Sequence, residues 1–113
     1  MSAITTHVLD TARGRPAEGI AVKLEVRAGD GWKLLGQGRT DANGRCHALL
    51  PENTRLEPGR YRLVFDVGAY FDLQQTETFY EAIPVVFAIR RPEAHYHVPL
   101  LVSPYGYSTY RGS

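Results

Sequence analysis

The side chains best suited to chemistry at neutral pH are His7, the pair His95 and His97, and Arg45. An unperturbed imidazole, with a pKa near 6.5, can give or take a proton there. His7 stands in an alternating run with Thr5 and Leu9 on its own side. It is either a functional base or a hydrogen-bonded, half-exposed strand residue. His95 and His97 are two apart, so a strand points both to one face. Two imidazoles can begin a metal site, but no Asp, Glu or Cys pattern completes one locally, and no metal is expected. Arg45 follows an Asn43-Gly44 turn and opens a strand. A guanidinium fixed there can bind a carboxylate or an anion that develops during a reaction; a solvated surface arginine is the competing reading. Cys46 alternates to the opposite face and reads as a small buried hydrophobe. No nucleophile elbow, phosphate-binding loop or dinucleotide fingerprint competes with these residues.

The closing stretch, 96–113, reads Tyr-His-Val-Pro-Leu-Leu-Val-Ser-Pro-Tyr-Gly-Tyr-Ser-Thr-Tyr-Arg-Gly-Ser. Termini usually fray and carry small polar residues. This one gathers tyrosines, a histidine and an arginine, which suits an ordered segment with a task. Strict alternation would put Tyr107, Thr109, Arg111 and Ser113 on one face and Tyr110 on the other.

The elements that must position these groups follow a period of two. Strands are expected at 4–10, 20–28, 32–39, 45–49, 60–67, 85–89 and 95–103, with a last one after 106 running to 113. In 20–28, Ile20, Val22, Leu24 and Val26 oppose Ala21, Lys23, Glu25 and Arg27, the pattern of a sheet with one wet side. Gly29-Asp30-Gly31 marks a hairpin, and Thr40 to Gly44 and Pro58-Gly59 mark further turns. A two-turn helix over 69–75, with Tyr70 and Leu73 on one side, interrupts the strands. Pro99 within a strand predicts an edge or a bulge, because proline donates no ladder hydrogen bond. Seven or eight short strands at regular spacing predict an all-β, two-layer antiparallel β-sandwich.

At 113 residues the chain fits one domain, 1–113, able to bury roughly two thirds of its unfolded surface. A net charge of +1 gives no reason to expect nucleic acid or an anionic membrane as partner. The single cysteine permits no intrachain disulfide. With no secretory pattern at the start and no long apolar run, the expected location is the cytoplasm.

Thr6-His-Val-Leu-Asp10 with Arg13-Gly-Arg-Pro16, the Asp41-Ala-Asn-Gly-Arg45 turn and the whole closing stretch resemble the transthyretin-like family. Within it they are most similar to the enzyme branch, the 5-hydroxyisourate hydrolases of urate breakdown. The likeness runs over essentially the whole chain. The turn and the Pro58-Gly-Arg-Tyr61 strand entry recur in many prealbumin-like modules and speak only for the fold. The final Tyr110-Arg-Gly-Ser113, with His7 and His97, is the signature of the hydrolase branch.

That resemblance implies a sandwich of about eight strands with one short helix, assembled as a homotetramer, a dimer of dimers, with sites in a channel between dimers. It implies hydrolytic opening of the cyclic amide of 5-hydroxyisourate, with no metal or organic cofactor. His7 and His97 would activate and position water, Arg45 would stabilise developing negative charge, and Tyr110, Arg111 and Ser113 would bind substrate. A carrier of the transthyretin type, binding an aromatic small molecule in the same channel, is the alternative from another class. A monomeric prealbumin-like adhesion module is a third.

Overall fold

The structure, a computed structural model, describes residues 3–113; the first two residues of the expected domain lie outside the described residues. Two sheets pack face to face. One has the order β2-β1-β8-β9, from Arg15–Pro16, Ile4–Asp10, Tyr96–Ser103 and Gly106–Thr109, with the two-residue strand β5, Arg45–Cys46, also on β1. The other has the order β4-β3-β6-β7, from Gly31–Arg39, Ala21–Ala28, Gly59–Asp66 and Ala82–Ile89. The helix α1, Val67–Asp72, links β6 to β7. The expected two-layer sandwich is what the chain forms. Within it all strand pairs are antiparallel except β1 with β8, which run parallel with Thr5 opposite His97 and His7 opposite Pro99.

Alternation explains the core. In β1 the side chains of Ile4, Thr6, Val8 and Asp10 are buried while Thr5, His7 and Leu9 remain partly exposed. In β8, Tyr96, Val98, Leu100 and Val102 point inward in the same way. They meet Val22 and Leu24 of β3 and Tyr61, Leu63 and Phe65 of β6. Each such fully buried aliphatic or aromatic side chain stabilises the fold by about 1.5–3 kcal/mol. The buried polar side chains of β1 are satisfied. Thr6 donates to the Val98 carbonyl at 2.6 Å, and Asp10 accepts from the Tyr70 hydroxyl at 2.8 Å and the Arg13 N–H at 3.0 Å.

Several boundaries differ from expectation, each for a local reason. The helix starts at Val67 because Asp66, read from sequence as strand, caps it by accepting from the Ala69 N–H. It buries Val67, Tyr70 and Phe71, whereas Leu73 lies exposed, so the Tyr70–Leu73 stripe is not its inner face. Strand β7 runs back through Pro84 to Ala82, which an edge strand tolerates. Strand β5 stops at Cys46, and Leu49 turns into the core instead of continuing the ladder.

Pro99 is not on an edge, since β8 lies between β1 and β9. Its missing N–H nevertheless leaves a mark. Pairing of β9 with β8 ends at Thr109 opposite Leu100, then resumes in the same register as a bridge between His97 and Gly112. The gap falls where Pro99 would have to donate to the tail. Thr109 Oγ1 bonds the Pro99 carbonyl at 2.7 Å at this point, and the regular ladder lapses at Tyr110 and Arg111.

Candidate active site

The outward side of the first sheet is where the expected residues collect. Strand β1 presents Thr5 and His7, and its antiparallel partner β5 sets Arg45 directly opposite His7. Its parallel partner β8 sets His97 opposite Thr5. Three strands drawn from the two ends and the middle of the chain thus bring His7, Arg45 and His97 to one surface.

The turn before β5 is built to hold Arg45. One carboxylate oxygen of Asp41 accepts from the N–H groups of Asn43, at 2.9 Å, and Arg45, at 3.0 Å. The Arg45 N–H above all holds the Asp41 carboxyl below its ordinary range. Gly44 completes the turn at φ +78, where a side chain would be strained. A Cβ there would come within 2.4 Å of the Val8 carbonyl and 3.3 Å of the His7 ring, so glycine lets the turn press against β1.

That closeness fixes His7. Its Nε2 lies 2.8 Å from the Asn43 carbonyl. A carbonyl only accepts, so Nε2 carries the proton and the neutral ring keeps its lone pair on Nδ1. His97 is held by Thr5, whose Oγ1 is 2.8 Å from His97 Nδ1. The other side of the ring is closed by the tail: Gly112 donates its N–H to the His97 carbonyl at 2.8 Å, and a Cβ on Gly112 would stand 2.5 Å from the ring. Burial first, and then the charges of Arg45, His7 and His95, hold the His97 imidazole below the ordinary histidine range. At neutral pH the ring is therefore an unprotonated acceptor, the state a general base requires.

The tail side chains lie mostly to the side of these residues. Arg111 stacks its guanidinium 4.6 Å from the centre of the Tyr96 ring and reaches the His95 carbonyl at 3.5 Å. Tyr110 and Arg111 line a hollow of about 200 Å³ between the sheet edges, against Val85, Phe87 and Val98. Tyr110 and the terminal Ser113 are exposed. The tail meets the histidine surface at two points, through the Gly112 N–H on the His97 carbonyl and the Arg111 guanidinium on the His95 carbonyl.

Two partners of the site were not singled out from sequence: Asn43, which orients His7 through its carbonyl, and Thr5, which orients His97. Thr5 becomes visible only once β1 and β8 are known to pair in parallel, its partner lying 92 positions away in the chain. Among the described residues no group of three or more His, Cys, Asp or Glu is placed to hold a metal ion. Nor is any helix among them long and apolar enough to cross a membrane.

Comparison with known proteins bears on the family and on the fold. The family model described as HIUase/Transthyretin family matches residues 4–112. The 5-hydroxyisourate hydrolase of Salmonella dublin is 49% identical over 110 residues, covering 97% of this chain and 80% of that protein. The solved structure of Klebsiella pneumoniae 5-hydroxyisourate hydrolase superposes with a TM-score of 0.83 at 37% identity, covering 97% of this chain and 92% of that one. Sea bream transthyretin in complex with thyroxine gives a TM-score of 0.90 at 36% identity, covering 98% of this chain and 95% of that one.

Proposed function

The chain belongs to the HIUase/Transthyretin family, and from that premise we propose that it is a hydrolase opening the cyclic amide of 5-hydroxyisourate. The product is 2-oxo-4-hydroxy-4-carboxy-5-ureidoimidazoline, in urate degradation. The observation that carries this reading is the meeting of His7, Arg45 and His97 on one exposed face, with the His97 ring held unprotonated by its surroundings.

Water is too weak a nucleophile at neutral pH to attack an amide carbon unaided. His7 and His97 position it, and one of them takes a proton as its oxygen adds to the carbonyl. The tetrahedral intermediate carries negative charge on oxygen, which Arg45 stabilises from its fixed turn. The carbon–nitrogen bond then breaks, the leaving nitrogen takes a proton back from the imidazolium, and the new carboxyl group ionises. No metal or organic cofactor enters these steps.

Tyr110, Arg111 and Ser113 bind the substrate in the assembled protein. The assembly is a homotetramer, a dimer of dimers of the single domain 1–113, and works in the cytoplasm. Two-fold symmetry sets copies of the histidine face across one channel, with the exposed tails at its walls. A carrier of the transthyretin type would use the same channel for an aromatic ligand. It has no need of two histidines and an arginine held by turn carbonyl, hydroxyl and carboxylate.

The test follows the ultraviolet absorbance of freshly made 5-hydroxyisourate. The wild type accelerates its decay well beyond the spontaneous rate, and Arg45→Ala loses about 10²–10³ of that acceleration. A folded wild type that leaves the spontaneous rate unchanged, yet binds aromatic ligands, overturns the hydrolase in favour of the carrier.

A further inference from the structure

One polar group on the histidine face has no part in the steps above: the hydroxyl of Thr5. Its Oγ1 lies 2.8 Å from His97 Nδ1 and also 3.0 Å from Nε2 of His95, the residue just before β8. A hydroxyl has one proton to give. If it donates to one ring it must accept from the other for both contacts to be hydrogen bonds. If both rings donated, the hydroxyl proton would be left with no protein partner, since Thr5 Oγ1 has no third contact among the described residues.

Two arrangements therefore satisfy all three groups. In one, His97 donates from Nδ1 to Thr5, and Thr5 donates to Nε2 of neutral His95. His97 then keeps a lone pair on Nε2 and can act as a base. In the other, His95 donates from Nε2, the hydroxyl turns, and Thr5 donates to His97 Nδ1. His97 then carries its proton on Nε2 and offers water a donor where a base is needed.

Protonation of His95 decides between them. An imidazolium has a proton on both nitrogens, so it can only donate to Thr5. We propose that Thr5 is a positioning residue that sets the tautomer of His97, and that through it protonation of the exposed His95 withdraws His97 from base catalysis. The inference rests on the hydrolase reading for its activity arm. The charged and titratable neighbours that bear on the pair are Arg45 and His7 beside His97 and Arg111, 3.5 Å from the His95 carbonyl.

Two measurements test it. The first is the pH profile of kcat/KM. In the wild type the acid limb includes loss of activity on protonating His95, so its limiting slope is one proton steeper than in His95→Ala. Thr5→Val loses the same proton from the slope. It also lowers kcat about fivefold, as one lost hydrogen bond would, with KM unchanged. Thr5→Ser restores both slope and rate. A purely structural role for Thr5 would change the rate without changing the slope. Equal slopes in wild type, His95→Ala and Thr5→Val overturn the coupling.

The second is ring-nitrogen NMR of the unliganded protein, which needs no turnover. In the wild type the Nε2–H form of His97 grows as His95 takes up its proton, and in Thr5→Val it does not. A His97 tautomer indifferent to His95 overturns the proposal even if the enzyme is active. A wild type without hydrolase activity sinks the function above and leaves this second measurement to decide the tautomer lock.

Discussion

The two sheets turn opposite faces to solvent, and both faces carry arginines and polar side chains by the same alternation. On the face of β3 and β6 two arginines are answered locally. Arg62 meets Glu25 at 2.6 Å, and both Arg62 and Arg27 lie over Trp32, 4.4 and 5.7 Å from its ring centre. On the face of β1, β5 and β8 the groups that titrate or carry positive charge are gathered: His7, His95, His97 and Arg45. Asp41, in the turn before Arg45, spends one oxygen on turn N–H groups and sets the other 3.5 Å from His47. The first face lowers its own electrostatic energy. The second gathers groups that would repel one another if all were charged and holds them by a turn carbonyl, a hydroxyl and a carboxylate, an arrangement that serves chemistry better than stability.

The widest separation between the faces is in rate. His97→Gln and His7→Gln should each lose about 10²–10⁴ of the hydrolytic rate while the fold persists, since both side chains stand outside the core. Arg62→Ala, an equally drastic loss of charge, should leave the rate within about twofold, as it touches nothing on the reacting side. Steady-state assays on the three variants read this directly. Near-wild-type rates in both histidine variants would remove the functional distinction between the faces.

Next in size is the protonation of His97. Its imidazole is held below the ordinary range by burial and then by Arg45, His7 and His95. A ring so placed stays neutral, and able to accept a proton, at pH values where an ordinary histidine at about 6.5 is already charged. The sign for stability follows. The unfolded chain takes up the proton near pH 6.5 and the folded chain does not, so this ring's contribution is complete above about 6.5 and is lost as pH falls toward the folded value. NMR titration of the His97 ring checks both statements. Arg45→Ala should raise the midpoint, because one repulsive charge has gone while burial remains. A midpoint at or above 6.5 in the wild type would contradict the crowding described for this face.

How much of this was readable from residue order depends on the range of the interaction. Alternation in 20–28 located the core residues Val22 and Leu24, because a two-residue period is local. The family resemblance brought His7, Arg45 and His97 together before any strand was paired. The parallel pairing of β1 with β8 was not legible, and with it went Thr5, whose partners are 90 and 92 residues away. The start of α1 was missed because Asp66 serves both as the last residue of β6 and as the helix cap. The alternation expected of the tail failed at Tyr110 because a proline on the neighbouring strand removes a ladder bond there.

The smallest effect tests whether the second face is only structural. Arg62 and Glu25 are partly buried, 28% and 16% exposed as side chains, so their pair is screened less than one in open water. Losing it together with the stacking on Trp32 should destabilise Arg62→Ala by about 1 kcal/mol, read as a lower denaturant midpoint at unchanged slope. A double-mutant cycle with Glu25→Ala separates the two contributions, because stacking survives when only the carboxylate is removed. The coupling between Arg62 and Glu25 should come out positive and below the total. If Arg62→Ala instead left stability untouched and changed the rate, charge on this face would be acting on the site through the core, and the division of labour between the two sheets would fail.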